Sequence, residues 1–302
     1  MTESTNTSAV DSPFANHTKH PRVWHYTNSA GLLGILDSRC LWASSPKALN
    51  DLEEISFGLA SLRTNLERFS IQSSLDASAY ERFKRVLADE IIGKQIDSLF
   101  VLSSSYHPDS LNQWHHYSDI DGYAIELDTS VPLGVKLDNG STFLGRNKDT
   151  YVFPNWYDVV YNYDEHASTS HNIFRFLLEL IKDPRFSDDN LLFLVSRFVV
   201  MSHISRFKHV GFKDEREVRF ISSRSAEGQI KYRTSNGRLV PYIELFVHKE
   251  GSDSSRSDFD FIKGIVCGPT THQNDVLLLE NLLASRGLAH IKVSRSDIPF
   301  RN

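Results

Sequence analysis

In residues 99–105 the chain reads Leu99-Phe100-Val101-Leu102-Ser103-Ser104-Ser105. Four consecutive apolar residues followed by small hydroxyl residues predict a buried β-strand that ends at a polar edge. After it, Asp109 and Ser110 can cap a short helix over residues 111–117, and another strand is predicted at residues 123–127. The stretch therefore predicts a strand, a helix and a strand, with hydroxyl groups where the first strand ends.

Strands and helices are also predicted on both sides of this unit. Towards the N-terminus the predicted elements are a strand at 23–26, a helix with N-cap chemistry in Thr27-Asn28-Ser29, a strand at 39–43 and helices over 52–66 and about 77–98. Towards the C-terminus they are a strand at 158–161, helices over about 165–183, 188–208 and 272–286, and strands near 217–221, 230–232, 242–246, 262–266 and 290–293. Strand blocks interrupted by helix pairs favour one α+β domain over residues 21–302. Residues 1–20 are Ser/Thr/Asn-rich and predict a disordered tail.

Composition places the 302-residue chain among globular proteins, with 40% hydrophobic and 24% charged residues. The net charge of −5 argues against a protein that coats nucleic acid non-specifically. Only Cys40 and Cys267 are present, so neither a disulfide framework nor a cysteine-rich zinc site is expected. Without an apolar leader or a membrane-length apolar run, the expectation is a cytoplasmic protein that does not engage the membrane.

The common short motifs are absent. The chain has no GxGxxG, P-loop or HExxH sequence, which removes the usual dinucleotide, nucleotide and zinc-protease interpretations. Thirteen histidines are present, but His115 and His116 are adjacent and His203 and His209 are six residues apart, so helical geometry turns each pair away from a shared metal. No metal site is predicted.

Three separated features carry polar side chains of the kind that line a binding site. His25 ends the first strand and leads into a helix, so its ring nitrogens can hold a ligand hydroxyl at the mouth of the sheet. The middle strand ends in Ser103-Ser104-Ser105, ahead of a helix with an aromatic face that carries Trp114 and Tyr117. Glu215 and Glu217 are expected to share one side of a late strand, with the neighbouring arginines on the other side. Together the three features favour one ligand site.

This order of features resembles a widespread bacterial domain family of uncharacterised function. The resemblance rests on His25-Tyr26-Thr27, Asn50-Asp51, Gln113-Trp114 with Tyr117, and the segment from Phe212 to Arg219. It extends from about residue 22 to Arg301. The layout also looks like the ADP-ribosyltransferase superfamily, which implies a split β core of two small sheets with inserted helices.

The second resemblance implies an NAD-dependent ADP-ribosyltransferase with NAD as its substrate. By position, Glu217 would stabilise an oxocarbenium-like transition state and Glu215 would orient or deprotonate the acceptor. Tyr117 would stack on nicotinamide and His25 would bind the adenosine-side ribose. The implied cofactor-binding residues are His25, Tyr26, Thr27, Ser103, Trp114 and Tyr117. The implied partners are an acceptor protein or nucleic acid and an antitoxin or regulator, as for a bacterial toxin or phage-defence effector.

Structural alternatives stand beside these roles. The two glutamates can pair with Lys213, Arg216 or Arg219 on an exposed strand, and the aromatic residues of the 111–117 helix can belong to the core. Many superfamily members have Ser three residues before the stacking Tyr, where this chain has Trp114. Tyr106 and Tyr123 are further candidates for stacking. A non-catalytic nucleotide-binding sensor with the same fold is therefore the second hypothesis, and a hydrolase with paired carboxylates is the third.

Overall fold

The computed structural model describes residues 18–48, 52–88, 96–136, 142–143, 155–184, 189–223, 230–235, 237–249 and 257–299. Most of the predicted tail and the Asn50-Asp51 step lie outside these residues, and the boundary at residue 20 stays a prediction. The last residues of that predicted tail make contacts. Thr18 donates its backbone N–H to the carbonyl of Trp156 at 2.9 Å, and the His20 ring stacks on Tyr106 with centroids 4.1 Å apart.

Strands and helices alternate along the chain. The strands are β1 Arg22–Thr27, β2 Leu41–Ser44, β3 Leu99–Ser105, β4 Tyr123–Asp128, β5 Leu133–Lys136, β6 Thr142–Phe143, β7 Asn155–Asp158, β8 Glu217–Ser223, β9 Lys231–Ser235, β10 Arg238–Val247, β11 Ile262–Cys267 and β12 Lys292–Arg295. The α-helices are α1 Ser29–Ser38, α2 Leu52–Gln72, α3 Ala77–Val86, α4 Leu111–Gln113, α5 Tyr163–Lys182, α6 Asp189–Ile204 and α7 Gln273–Ser285. Two of these elements have a further helical turn next to them. The helix α4 continues as a π turn over Trp114–Ser118, and a 3-10 helix over Val210–Glu215 precedes β8.

The sheet is centred on β3. One edge of β3 pairs with β8 in seven antiparallel positions, from Leu99 opposite Ser223 to Ser105 opposite Glu217. The other edge has one registered pair with β2 and one with β1. Beyond these junctions, β1 leads to β4, β11 and β12, and β2 leads to β10 with β5, β6 and β9.

The expectation of strands with inserted helices is confirmed as a mixed α and β architecture. The strands do not fall into two separate small sheets, because β3 bonds to β1, β2 and β8 and so joins all twelve into one open sheet. Among the described strands, β11 and β12 pair in parallel and the other registered strand pairs are antiparallel. On one edge of β3 the sheet divides into two branches, because β1 and β2 each form a single registered pair with β3 and lead to different strands.

Both faces of the sheet are covered, because successive strand residues point to opposite sides. Leu99 and Val101 join a core cluster with helices α2, α3, α5 and α6. Phe100 and Leu102 join a second cluster on the other face with α1 and α7. Burial on both faces explains the continuous apolar run at the start of β3. Its last three residues replace this apolar surface with hydroxyl groups.

Local signals account for several helix boundaries. A cap is predicted within Thr27-Asn28-Ser29, and the structure assigns it to Asn28, whose side chain accepts a hydrogen bond from the Gly31 N–H at 3.0 Å. The predicted 77–98 helix begins as expected, but α3 ends at Val86, and residues 89–95 of the prediction lie outside the described part of the chain. Asp109 does not cap the 111–117 helix, because its carboxylate accepts the Trp114 indole N–H instead.

Candidate functional site

A cluster of buried ionised side chains lies where β3 ends. In the β3–β8 ladder, Ser103 is opposite Arg219 and Ser105 is opposite Glu217. Opposed residues of an antiparallel pair project from the same face, so these four side chains meet on one side of the sheet. The polar end of β3 therefore faces the charged start of β8.

Glu217 is the centre of this cluster. Arg219 donates to it twice, from Nε to Oε1 at 2.6 Å and from Nη2 to Oε2 at 2.9 Å. Lys208 donates to Oε2 at 3.1 Å. Burial alone would raise the pKa of Glu217, but the charges of Arg219 and Lys208 outweigh it and hold that pKa at about 2. Glu217, which is 6% exposed, is therefore ionised at neutral pH.

Lys208 connects three carboxylates. Its Nζ lies 2.6 Å from Glu215 Oε2, 2.9 Å from Glu54 Oε1 and 3.1 Å from Glu217 Oε2. Burial would lower the pKa of Lys208, but the neighbouring carboxylates, Glu217 foremost, raise it above its ordinary value. Arg219 also reaches Glu54, with Nη2 2.6 Å from Oε2. Three carboxyl groups thus surround two cations.

The backbone at Arg216 brings Glu215 and Glu217 onto the same ammonium group. Glu215 closes the 3-10 helix, Arg216 is left-handed with φ of 49°, and Glu217 begins β8. The prediction that both glutamates share a strand face is therefore wrong, although they do converge. Arg219 also lies on the Glu217 side, because residues two apart on a strand share a face.

Tyr117 lies at the rim of the cluster. It belongs to the π turn after α4, a wide helical turn that often occurs at functional sites. Its hydroxyl donates to Glu215 Oε1 at 3.1 Å, while 48% of the residue remains exposed. Burial of the hydroxyl raises the pKa of Tyr117 above its ordinary value, so the group stays protonated and acts as a donor.

His25 approaches the cluster from β1. Its Nδ1 lies 2.9 Å from the Ser103 carbonyl, which can only accept, so Nδ1 carries the proton. Burial lowers the pKa of His25 below 6.5, and the ring is neutral at pH 7. The Ser103 hydroxyl bonds to the Glu217 carboxylate and helps to lower its pKa. Ser103 therefore contacts both His25 and Glu217.

Trp114 and Tyr26 are core residues, in contrast to the ligand contacts implied by the resemblance. Trp114 is fully buried, and its indole N–H donates to Asp109 Oδ1 at 2.7 Å. The Tyr26 hydroxyl donates to the His107 carbonyl and accepts the Ser110 N–H. The two rings meet edge to face with centroids 4.8 Å apart. They fix the segment that precedes Tyr117, and neither ring is open to a ligand.

Thr27 is also buried, at the junction between β1 and α1. A Cβ on Gly31 would collide with Thr27 Oγ1, so the first turn of α1 packs directly on this side chain. Of the other candidates for stacking, Tyr106 faces His20 and Tyr123 pairs with Thr27 in β4. Tyr117 is thus the aromatic candidate that contacts the charged cluster.

Sequence reasoning missed Glu54, Lys208 and Tyr161. Tyr161 accepts the Glu217 backbone N–H through its hydroxyl at 2.9 Å. Glu54 comes from α2 and Lys208 follows α6, so their part in the site depends on how helices dock on the sheet. Arg219 was named only as a partner on an exposed strand. Its pairing with Glu217 is real, but the pair is buried, with Arg219 1% exposed.

Comparison with known proteins adds a family match for part of the chain. Residues 113–220 match the family model described as "Protein of unknown function (DUF2971)", which covers less than half of the chain. This region holds Tyr117, Lys208, Glu215, Glu217 and Arg219. No curated protein and no solved structure matched the chain. The match agrees with the expected uncharacterised domain family.

Within the part of the chain that the structure covers, no helix combines the length and apolar character that a membrane crossing requires.

Proposed function

We propose that the charged cluster beside the sheet split catalyses ADP-ribosyl transfer from NAD. The observation that carries this proposal is an indirect link between three distant parts of the chain: His25 and Glu217 both interact with Ser103, and Tyr117 bonds to Glu215, which shares Lys208 with Glu217. Ser103 contacts His25 through its carbonyl and Glu217 through its hydroxyl, and Tyr117 reaches Glu215. The finer description of the sheet as an ADP-ribosyltransferase-like split core is part of this proposal.

The reaction breaks the bond between the ribose C1′ and the nicotinamide nitrogen. The bonding electron pair stays on nitrogen, so nicotinamide leaves neutral and positive charge develops on the ribose. An acceptor nucleophile then bonds to C1′ and gives up a proton. A fixed negative charge close to C1′ stabilises this transition state more than the ground state.

The described residues fit such a substrate in part. Glu217 is ionised and held in place by Arg219 and Lys208, so its charge needs no rearrangement during the reaction. Neutral His25 has its proton on Nδ1, and none of the described residues bonds to Nε2, which can accept a ribose hydroxyl. The exposed part of Tyr117 offers a ring for stacking. Trp114, Tyr26 and Thr27 position these groups from the core.

The acceptor side of the proposal rests on Glu215. Its Oε1 receives the Tyr117 hydroxyl and its Oε2 receives Lys208, so it lies between the exposed rim and the buried cations. In this arrangement Glu215 would orient the acceptor. We place the acceptor among proteins and nucleic acids, consistent with a toxin or phage-defence effector that an antitoxin or regulator restrains.

One observation favours the second candidate, a nucleotide-binding sensor without turnover. Both oxygens of Glu217 are engaged by cations, and the residue is only 6% exposed. A carboxylate used in this way can be a structural element beneath a binding surface. Such a protein would bind ADP-ribose and NAD without releasing nicotinamide.

The decisive experiment compares the wild type with Glu217→Gln, which keeps the side-chain shape and removes the charge. Nicotinamide release from NAD and transfer of labelled ADP-ribose to lysate components are measured together. The matched control is Glu244→Gln, because Glu244 is another buried carboxylate paired with a lysine, Lys231, on a different strand. Loss of activity only in Glu217→Gln supports the transferase.

Equal activity in the wild type and Glu217→Gln would exclude the carboxylate role. Binding of ADP-ribose by calorimetry without nicotinamide release over long incubation would instead favour the sensor. Circular dichroism and thermal melting of each variant separate loss of chemistry from loss of folding.

A further inference from the structure

Arg233 is a partly buried cation that no carboxylate of the described residues pairs with. It lies on β9 opposite Val240 of β10. Among the residues that the structure describes, it makes no ion pair, and its Nε is buried without a hydrogen-bond acceptor. Burial lowers the pKa of Arg233, as expected for a charge that leaves water without compensation.

Three other buried cations, Lys208, Arg219 and Arg206, each have an acceptor for Nζ or Nε, which Arg233 lacks among the described residues. Lys208 and Arg219 are surrounded by Glu54, Glu215 and Glu217. Arg206 donates its Nε to the Asp158 carbonyl at 3.2 Å. Removing a cation from water without an anion is costly, so an uncompensated site of this kind is suited to an external negative charge.

The surroundings of Arg233 supply donors. Its guanidinium lies 5.8 Å from the centre of the Trp42 ring, and Nη2 donates to Ser44 Oγ at 3.2 Å. The indole Nε1 of Trp42 is also buried without an acceptor. Tyr242 packs on Trp42 with ring centroids 5.1 Å apart. Two neighbouring side chains thus each present a buried N–H that a ligand acceptor could satisfy.

The acidic residue on the neighbouring strand does not neutralise Arg233. Glu244 of β10 pairs with Lys231 at 2.7 Å. The positive charge of Arg233 also reaches His25 on the far side of the sheet split, where it contributes to the lowered pKa of that imidazole after burial. Arg233 therefore lies close enough to His25 for their charges to interact.

We propose that Arg233 and Trp42 bind the phosphate or diphosphate group of a ligand in the split between β1 and β2. A phosphate oxygen supplies both what the guanidinium lacks, a negative charge, and what the two buried N–H groups lack, an acceptor. The site needs no bond cleavage, so it stands independently of the transferase chemistry proposed at Glu217.

The test is calorimetric titration of the full chain with inorganic pyrophosphate and with ADP-ribose, with adenosine as an uncharged control. Wild type is compared with Arg233→Gln, and Arg238→Gln is the matched control because Arg238 is an exposed arginine of the adjoining strand β10. Hydrogen bonds to charged groups predict that Arg233→Gln weakens pyrophosphate and ADP-ribose binding by roughly ten- to a hundredfold. Arg238→Gln should bind as wild type does.

Equal pyrophosphate affinity in wild type and Arg233→Gln overturns the proposal, as does the absence of saturable pyrophosphate binding by wild type. If Arg233→Gln does not fold by circular dichroism, Arg233→Lys takes its place. Lysine keeps the charge but loses the planar set of donors, so weaker binding than in the wild type supports the proposal and unchanged binding overturns it. Glu217→Gln should retain pyrophosphate binding, so failure of the transferase chemistry and failure of this site give different results.

Discussion

Arg219 binds both carboxylate oxygens of Glu217, through Nε at 2.6 Å and Nη2 at 2.9 Å, although the two residues lie on the same strand. Their i and i+2 positions put both side chains on one face of the sheet. The contact is bidentate, and both residues are buried. Removing one partner of such a pair leaves the other charge buried and uncompensated.

Arg219→Met is therefore expected to lower the free energy of unfolding by about 3 kcal/mol or more. Urea denaturation of wild type and variant measures the difference. Arg238→Met is the control, since an exposed arginine should change the free energy of unfolding by less than about 0.5 kcal/mol. A loss below about 1 kcal/mol in Arg219→Met would contradict the view that Glu217 depends on this partner.

Stability should depend on pH through Glu217. Its pKa is about 2 in the folded protein against an ordinary 4.5, so between these values the unfolded chain binds more protons than the folded one. The stabilisation is then present above about pH 5 and is lost as the pH falls towards 2, with an upper value of about 3 kcal/mol.

Unfolding free energies of wild type and Glu217→Gln, compared at about pH 7, where the stabilisation is complete, and at steps from about pH 5 down to about pH 3, where it is being lost, test this expectation. Glu217→Gln cannot titrate at this position and should show the flatter profile. Parallel profiles would mean that other carboxylates account for the acid sensitivity.

Trp114→Phe should reduce stability without weakening ligand binding. The substitution removes the donor to Asp109, which still receives the Ser296 hydroxyl at 2.7 Å and the Asp297 N–H at 2.8 Å. We expect a loss of about 1–2 kcal/mol in unfolding free energy. ADP-ribose affinity should stay within about twofold of the wild type. A tenfold loss of affinity (about 1.4 kcal/mol) with unchanged stability would return Trp114 to the ligand site.

Gly34→Ala should disturb the surroundings of Arg233 by displacing the Trp42 ring, which lies between them. A Cβ at Gly34 would collide with the Trp42 ring, which is a large packed group and cannot simply rotate away. Overpacking of this kind costs about 1–3 kcal/mol, more than the gain in helix propensity from alanine. Altered tryptophan fluorescence and weaker pyrophosphate binding should accompany the loss. Leu33→Ala, at an exposed position of the same helix, should leave pyrophosphate binding unchanged.

Local chemistry predicts much of the fold. The strand at Leu99–Ser105 has the predicted bounds because apolar and hydroxyl residues mark its two halves. The cap at Asn28 is a contact between neighbours in sequence, so it is also readable. The end of α3 at Val86 was not predicted, since apolar periodicity alone does not show where a helix stops.

Part of the candidate site could be predicted from the order of residues along the sequence. His25, Tyr117 and Glu217 were named from a resemblance, and the period of two along β8 could have placed Arg219 beside Glu217. Glu54 and Lys208 carry no local signal, because their meeting depends on helix packing over more than a hundred residues. Trp114 was misassigned since a helix pattern does not tell which aromatic face is covered.

The pairing of β8 with β3 limits where the polypeptide can be cut. Residues 113–220, the span of the family match, contain most of β8 but not β3, Ser103 or Glu54. Excised alone, this fragment would leave a bare strand edge and two buried cations with only two of their three counter-charges. Bare edges recruit other chains, so such a fragment should precipitate on expression. A fragment whose ends keep β3 together with β8, instead of following the limits of the matched region, should be soluble on expression.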